Sequence, residues 1–369
     1  MKINRVTLHH LSMELRSPFE TSFGRTLKRE SILLLVEAGD LTGYGECVAD
    51  RDPGYSYETA GTAWHILRDF LIPSVLGVEF EDAHEMQRRM AGVRGHPMAK
   101  AGLEMAWWDL EGKRMGRSLR QLLGGVYDRV AVGVSIGIQE SPQELVKVVG
   151  GYLSEGYSRV KIKIKPERDV ADTQAVREAF PDLRLQVDAN SAYTLETAQA
   201  LAPLDELDLL LIEQPLAEDD LWDHSRLQAR FTTPICLDES ILSARHARQA
   251  LEMKACRIIN IKAGRVGGLS QAVAIHNLCL SQGIPVWCGG MLETGVGRAA
   301  NLALASLPGF TLPGDISASR RYYLEDITGE LFSLNPDSTI TVPDAPGLGV
   351  NVDARALERA SLARITLPE

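Results

Sequence analysis

Residues 159–190 read RVKIKIKPERDVADTQAVREAFPDLRLQVDAN. Two short apolar runs, RVKIKIK and LRLQVDAN, flank an amphipathic stretch, and each run ends in polar or charged side chains. The unit recurs. From Arg129 the successive runs are VAVGVSIGI, RVKIKIK, LRLQVDAN, LLLIEQP, PICLDES, RIINIKAG, PVWCGG and FTLPGD, with helical stretches between most of them. Strands buried on both faces of a parallel sheet read as continuous apolar runs, as these do. One intervening helix is predicted from Ser141-Pro142-Gln143-Glu144, which offers an N-cap, a first-turn proline and a capping-box glutamate in order. Another carries Leu269, Ala272, Ile275 and Cys279 on one face. The repetition predicts an α/β fold of the (β/α)8, TIM-barrel type. A doubly wound open sheet is the alternative, but no G-x-G-x-x-G follows an early strand and there is no P-loop.

Outward from the barrel the pattern changes. Residues 3–15 and 31–47 read as strands with Gly39-Asp40 as a hairpin turn, and Met98 to Met115 reads as a helix carrying Leu103, Ala106, Trp107 and Leu110. Gly124-Gly125 ends this part. The expected organisation is an α+β capping domain over residues 1–125, a catalytic barrel over 126–319 and a C-terminal segment, 320–369, that returns to the cap. That tail holds a short strand, Thr339 to Val342, and the turn Pro346-Gly347-Leu348-Gly349.

The 369 residues are 45% apolar, with 39 Lys and Arg against 49 Asp and Glu. A net charge of −10 argues against a nucleic-acid partner, yet a local site for a small carboxylate can still be positive. Cys47, Cys236, Cys256, Cys279 and Cys288 are odd in number and form no CxxC pair, which predicts buried free thiols in a reducing compartment. The N-terminus alternates like a strand, and no apolar run approaches the ~18 residues that span a bilayer. A soluble, cytoplasmic homo-oligomer is expected.

Barrel chemistry sits at the C-terminal ends of strands. In order, those ends carry Lys161 and Lys163, Asp188 and Asn190, Glu213, Asp238 with Glu239, and Lys262. Asp188 follows Lys163 by 25 residues, Glu213 follows Asp188 by 25, Asp238 follows Glu213 by 25 and Lys262 follows Asp238 by 24. One βα unit therefore separates each from the next, and neighbouring strand ends converge. A lone acid would as readily cap the following helix. Asp188, Glu213 and Asp238 in register would repel unless a cation holds them, and all-oxygen ligation selects Mg²⁺, with Mn²⁺ or another divalent ion as substitutes. Lys161 and Lys163 point to one face, and Lys262 ends a strand across the ring. For the adjacent pair Lys161 and Lys163, burial and like charge are expected to lower the pKa and make a base. Lys165 precedes Pro166 and is read as loop. A metal and opposed lysines suit removal of a proton beside a carboxylate, leading to racemisation or to elimination.

The motifs K-x-K, D-A-N, E-Q-P, L-D-E-S and N-I-K-A-G-R-V-G-G resemble the enolase superfamily, specifically its muconate-lactonizing-enzyme subgroup and the o-succinylbenzoate synthase and N-acylamino-acid racemase family within it. The likeness extends to Pro18–Gly24, Gly45-Glu46-Cys47, Trp287–Gly295 and Leu312–Ser319. It implies Mg²⁺ on Asp188, Glu213 and Asp238, acid/base roles for Lys163 and Lys262, and Lys161 near the substrate carboxylate. Asn190, Ser135, Phe19, Phe23, Tyr55, Met291, Leu292 and Arg265 are the further expected substrate contacts, with Arg265 also placed to tune Lys262. The charged loop Asp50-Arg51-Asp52, Glu20 and Ala263 depart from the family pattern and bear on side-chain preference. No histidine falls in residues 285–298, against a mandelate-racemase-like base. A muconate cycloisomerase, a dipeptide epimerase and a barrel that binds a carboxylate without turnover are the alternatives. Asp315-Ile316-Ser317 lacks the second acid that would hold a dipeptide ammonium.

Overall fold

In the computed structural model, which describes residues 1–22 and 24–368, the chain opens with three antiparallel strands: β1 (Arg5–Thr21), β2 (Gly24–Ala38) and β3 (Leu41–Cys47). Gly39 makes the expected β2–β3 turn in the left-handed region, at φ 60°. The first two strands run further than the sequence pattern predicts. Residues 16–30 are too charged to read as a strand, yet after an irregularity spanning Pro18 the pairing resumes with Phe19 opposite Thr26 and Glu20 opposite Arg25. This long hairpin reaches the barrel. The Glu20 carbonyl accepts from Ile138 N at 3.0 Å, and Ser22 Oγ donates to the Asn190 carbonyl at 3.3 Å. The predicted helix forms as Pro97–Met115, begun by a first-turn proline and ended by Gly116 in the left-handed region. It buries Leu103, Ala106, Trp107 and Leu110 against the sheet.

The barrel strands are β5 (Val134–Ile136), β6 (Arg159–Lys163), β7 (Arg184–Asp188), β8 (Ile212–Glu213), β9 (Ile235–Leu237), β10 (Ile258–Ile261) and β11 (Val286–Cys288), parallel and adjacent in chain order. The eighth run, FTLPGD, closes the ring without forming a regular strand among the described residues. Asp315 N donates to the Cys288 carbonyl at 2.9 Å on one side. On the other, Gly314 N donates to Ala131 O at 3.0 Å and Gly133 N to Gly314 O at 2.8 Å. Pro313 has no amide hydrogen to continue a ladder. Leu211, Cys236, Ile258 and Trp287 form a small cluster of their own in the ring.

The first run divides: β4 (Arg129–Ala131), which touches the ring only at its Ala131 carbonyl, pairs antiparallel with β12 (Thr339–Thr341). That tail strand therefore does not join the cap. The last strand, β13 (Ser361–Leu367), does, running antiparallel along β1. Helix Pro142–Ser154 starts with Ser141 accepting from Glu144 N, but Glu144 does not complete a capping box; its carboxylate meets Lys147 instead. All five cysteines are buried and free. Among the described residues no helix is long and apolar enough to cross a membrane.

One cap carboxylate pins a barrel helix. Glu104, on the cap helix, accepts from Leu269 N at 2.6 Å and Ser270 N at 3.0 Å, the first amides of helix Leu269–Ser281. Gly268 makes room: a Cβ there would lie 2.2 Å from Glu104 Oε2. Replacing Glu104 by Ala strands two buried donors, so Glu104→Ala should lower unfolding stability by roughly 2–4 kcal/mol. Denaturant melts compare the two proteins, and a change below about 0.5 kcal/mol would refute the latch.

Candidate active site

Alternation along β6 turns Val160 and Ile162 one way and Arg159, Lys161 and Lys163 the other, and all five are buried. The cations point to the barrel's interior. Lys161 Nζ contacts Glu213 Oε2 at 2.8 Å, Asp188 Oδ2 at 3.1 Å and Asp315 Oδ2 at 2.7 Å, and stands 4.8 Å from the Trp287 ring centre. Lys163 Nζ lies 2.6 Å from both Asp188 Oδ2 and Asn190 Oδ1. Asn190 adopts φ 44°, a conformation asparagine tolerates, and its Nδ2 donates to Glu239 Oε1 at 2.8 Å. Across the ring Lys262 Nζ meets Asp238 Oδ2 at 2.6 Å and the Tyr55 hydroxyl at 3.0 Å. Arg265 donates to Asp238 Oδ1, to the Ile241 carbonyl at 2.8 Å and to the Asn260 carbonyl at 2.6 Å.

The expected drop in lysine pKa is not found at Lys161, and Lys262 across the ring behaves as Lys161 does. Burial opposes each charge, but Asp315, Glu213 and Asp188 outweigh it at Lys161, and Tyr55, Glu213 and Glu239 at Lys262, so both are raised. Asp188 is held well below the usual range: burial opposes it, and Lys163 and Lys161 prevail. Glu213 goes the other way, raised by burial and then by the Asp188 charge beside it. Glu239 is pushed up to about 7, again by burial first and Asp188 second.

The three expected metal ligands end adjacent strands. Asp188 and Glu213 are register partners, and Asp238 lies two residues beyond Cys236, the partner of Glu213. As the side chains stand, Lys161 bridges Asp188 and Glu213 while Lys262 holds Asp238. Among the described residues no three His, Cys, Asp or Glu groups converge as an ion-holding cluster. The donor set nonetheless fits a hard divalent cation. It is all oxygen, from carboxylates that end adjacent strands, and a cation among them would offset the burial and the Asp188 charge that raise Glu213.

Lys163 and Lys262 open into one cleft of two connected lobes. The outer lobe adds Phe19, Tyr55, Asn190, Met291 and Leu292; the inner adds Phe19, Ser135, Lys161, Leu292 and Arg321. Arg265 faces a third recess beside Tyr55 and Asn190. Phe23 lies outside the described residues. Sequence reasoning missed Arg159 and Asn260, which lie two residues before Lys161 and Lys262 and so share their faces. Asn260 Nδ2 donates to Glu213 Oε1 at 2.7 Å, and Arg159 Nη1 to Asp315 Oδ1 at 2.6 Å. It also missed Arg29, buried from the cap hairpin and 2.8 Å from Asp50, and Arg321 in the turn after the eighth run. Neither lies on a strand end, so no periodicity pointed to them.

A capped barrel with lysines facing each other across buried acids defines an enzyme of the enolase type. Residues 3–124 match the mandelate racemase / muconate lactonizing enzyme N-terminal domain and residues 144–356 the enolase C-terminal domain-like family, so the chain belongs to the enolase superfamily. It is 52% identical to an o-succinylbenzoate synthase of Geobacillus stearothermophilus over 97% of this chain and 96% of that one. It is 51% identical to an N-succinylamino acid racemase of an Amycolatopsis species over 99% of both. A crystal structure of an enolase superfamily member from Listeria innocua superposes with a TM-score of 0.95, at 40% identity over 99% of both chains.

Asp315 is shared by Arg159 and Lys161, which hold it well below the carboxylate range against the opposing effect of burial. A carboxyl lowered on folding stabilises the native state above its unfolded pKa, and that contribution fades as the pH falls toward the folded value. Asp315→Asn leaves two buried cations short of charge and should cost about 3–5 kcal/mol at pH 7. Its melting temperature should also fall less steeply on acidification below pH ~4 than that of the unaltered protein. Parallel pH–stability curves would contradict the assignment.

Proposed function

We propose that this enzyme removes the proton on the carbon next to a substrate carboxylate, forming an enediolate. It thereby racemises N-acylamino acids such as N-succinylamino acids, forms o-succinylbenzoate by dehydration, or does both. The observation that carries this reading is the pair Lys163 and Lys262, reaching one cleft from opposite sides with buried acids around them. The names of the two relatives support it, since both reactions start with the same proton removal.

Lys163 Nζ, positioned by Asp188 and Asn190, takes or returns the proton on one face of the carbon. Lys262 Nζ, positioned by Asp238 and Tyr55, serves the other face. Using the two in turn inverts the centre. Using Lys163 first as base and then as acid toward a β-hydroxyl gives elimination, while the Lys262 ammonium faces the developing charge. Lys161 attracts the substrate carboxylate, and Phe19, Tyr55, Met291 and Leu292 wall the reacting carbon from water. A divalent ion, Mg²⁺ or Mn²⁺, on Asp188, Glu213 and Asp238 would supply Lewis acidity beside that carboxylate. A dipeptide substrate is disfavoured at the end of the eighth run, because Asp315 is already neutralised there and Ser317 Oγ, in place of a second acid, donates to the Gly133 carbonyl.

Deuterium from D₂O should appear at Cα of an N-succinylamino acid when Mg²⁺ is present, as read by NMR. Lys163→Ala and Lys262→Ala should each lose racemisation by about 10³-fold or more, and Lys163→Ala should also abolish dehydration. Either variant racemising at the parent rate would sink the two-base reading. Separately, Mg²⁺ should raise the melting temperature, and Glu213→Gln should shrink that rise. An equal rise in both proteins would remove Glu213 from the ligand set.

A further inference from the structure

The succinyl-bearing substrates proposed above carry two carboxylates, one beside the reacting carbon and one at the far end of the succinyl chain. Enclosing the second without a cation would leave a desolvated, unpaired charge. The lining cations of the cleft and its side recess, among the described residues, are Arg29, Lys161, Lys163, Lys262, Arg265 and Arg321. Lys161 is assigned to the carboxylate beside the reacting carbon, and four others face acids: Arg29 meets Asp50, Lys163 meets Asp188, and Lys262 and Arg265 meet Asp238.

Arg321 differs. Among the described residues its guanidinium meets no carboxylate; one nitrogen donates to the Ser135 carbonyl, and Nε is buried without a partner. Aromatic rings carry it instead, with the centres of Tyr152, Tyr322 and Phe19 at 5.4, 5.7 and 6.0 Å. Rings steady a guanidinium plane without neutralising it, and with Nε buried and Nη2 on the Ser135 carbonyl, Nη1 is left to meet a carboxylate. The acid in that lobe, Asp315, is taken by Arg159 and Lys161. Lys163 Nζ lies 5.9 Å from the same Phe19 ring centre, so Lys163 and Arg321 are no further apart than those two Phe19 distances laid end to end. An acyl chain ending in a carboxylate bridges such a gap.

We infer that Arg321 anchors the far carboxylate of the acyl group and sets a preference for acyl groups that end in a carboxylate over neutral ones. This rests on the substrate class proposed above. Binding is tested by calorimetry with Mg²⁺ present, using N-succinyl-L-valine, its distal methyl ester and N-acetyl-L-valine. The unaltered protein should bind the acid roughly 30-fold more tightly than the ester, the worth of one charge-assisted pair. Arg321→Gln should bind acid and ester within about threefold of each other, and Arg321→Lys should restore part of the preference. The inference is overturned if the unaltered protein does not distinguish acid from ester, or if Arg321→Gln keeps the full preference. The ester comparison needs no variant, so a misfolded substitution does not decide the matter. Binding also needs no turnover. Selective binding without Cα exchange would sink the proposed reaction and leave the anchor, while exchange without selectivity would do the reverse.

Discussion

An ion taken out of water must meet an opposite charge or hydrogen bonds that replace its hydration. At the barrel mouth four buried carboxylates, Asp188, Glu213, Asp238 and Asp315, pair with five buried cations, Arg159, Lys161, Lys163, Lys262 and Arg265, while Glu239 accepts from Asn190. The salt bridges among them all join different strands or the loops that follow them. Charge balance at the site is therefore a property of the sheet's register. A slip of one residue in β6 would turn Lys161 and Lys163 outward among the helices and carry Val160 and Ile162 into the ring.

The cap is tied to that ring by the same currency of buried charge. Glu104 feeds the start of one barrel helix, and Glu46 feeds the start of another, accepting from Thr294 N and Gly297 N at 3.1 and 3.0 Å. Helix N-termini present unpaired amides and a partial positive charge, so a carboxylate from another layer satisfies both needs. Between these two anchors the β1–β2 hairpin brings Phe19 to the wall shared by both lobes.

Most of the barrel was legible because buried parallel strands leave continuous apolar runs and because one βα unit spaces Lys163, Asp188, Glu213, Asp238 and Lys262 so evenly. Less was legible where pairing does not follow hydrophobic pattern. The charged ends of β1 and β2 hid a hairpin, Pro313 kept the eighth run from forming a regular strand, and β12 went to β4 rather than to the cap. Within the site, residue type pointed to the acids and lysines but not to their protonation. The raised pKa of Lys161 and Lys262 depends on which carboxylates fold against them. Arg321 was invisible for a simpler reason: it belongs to a turn, and its significance lies in the partner it lacks.

The five thiols occupy different layers: Cys47 in the cap sheet, Cys236 and Cys288 on barrel strands, Cys279 on a helix and Cys256 just ahead of β10. Burial pushes every one of them up, Cys279 to about 12, so reactive thiolate is scarce in the folded chain. An alkylating reagent consequently reports opening events rather than surface chemistry, with Cys47 clocking the cap and the other four the barrel. If the cap lifts before the barrel loosens, Cys47 is modified first; if the molecule opens as one unit, all five disappear together.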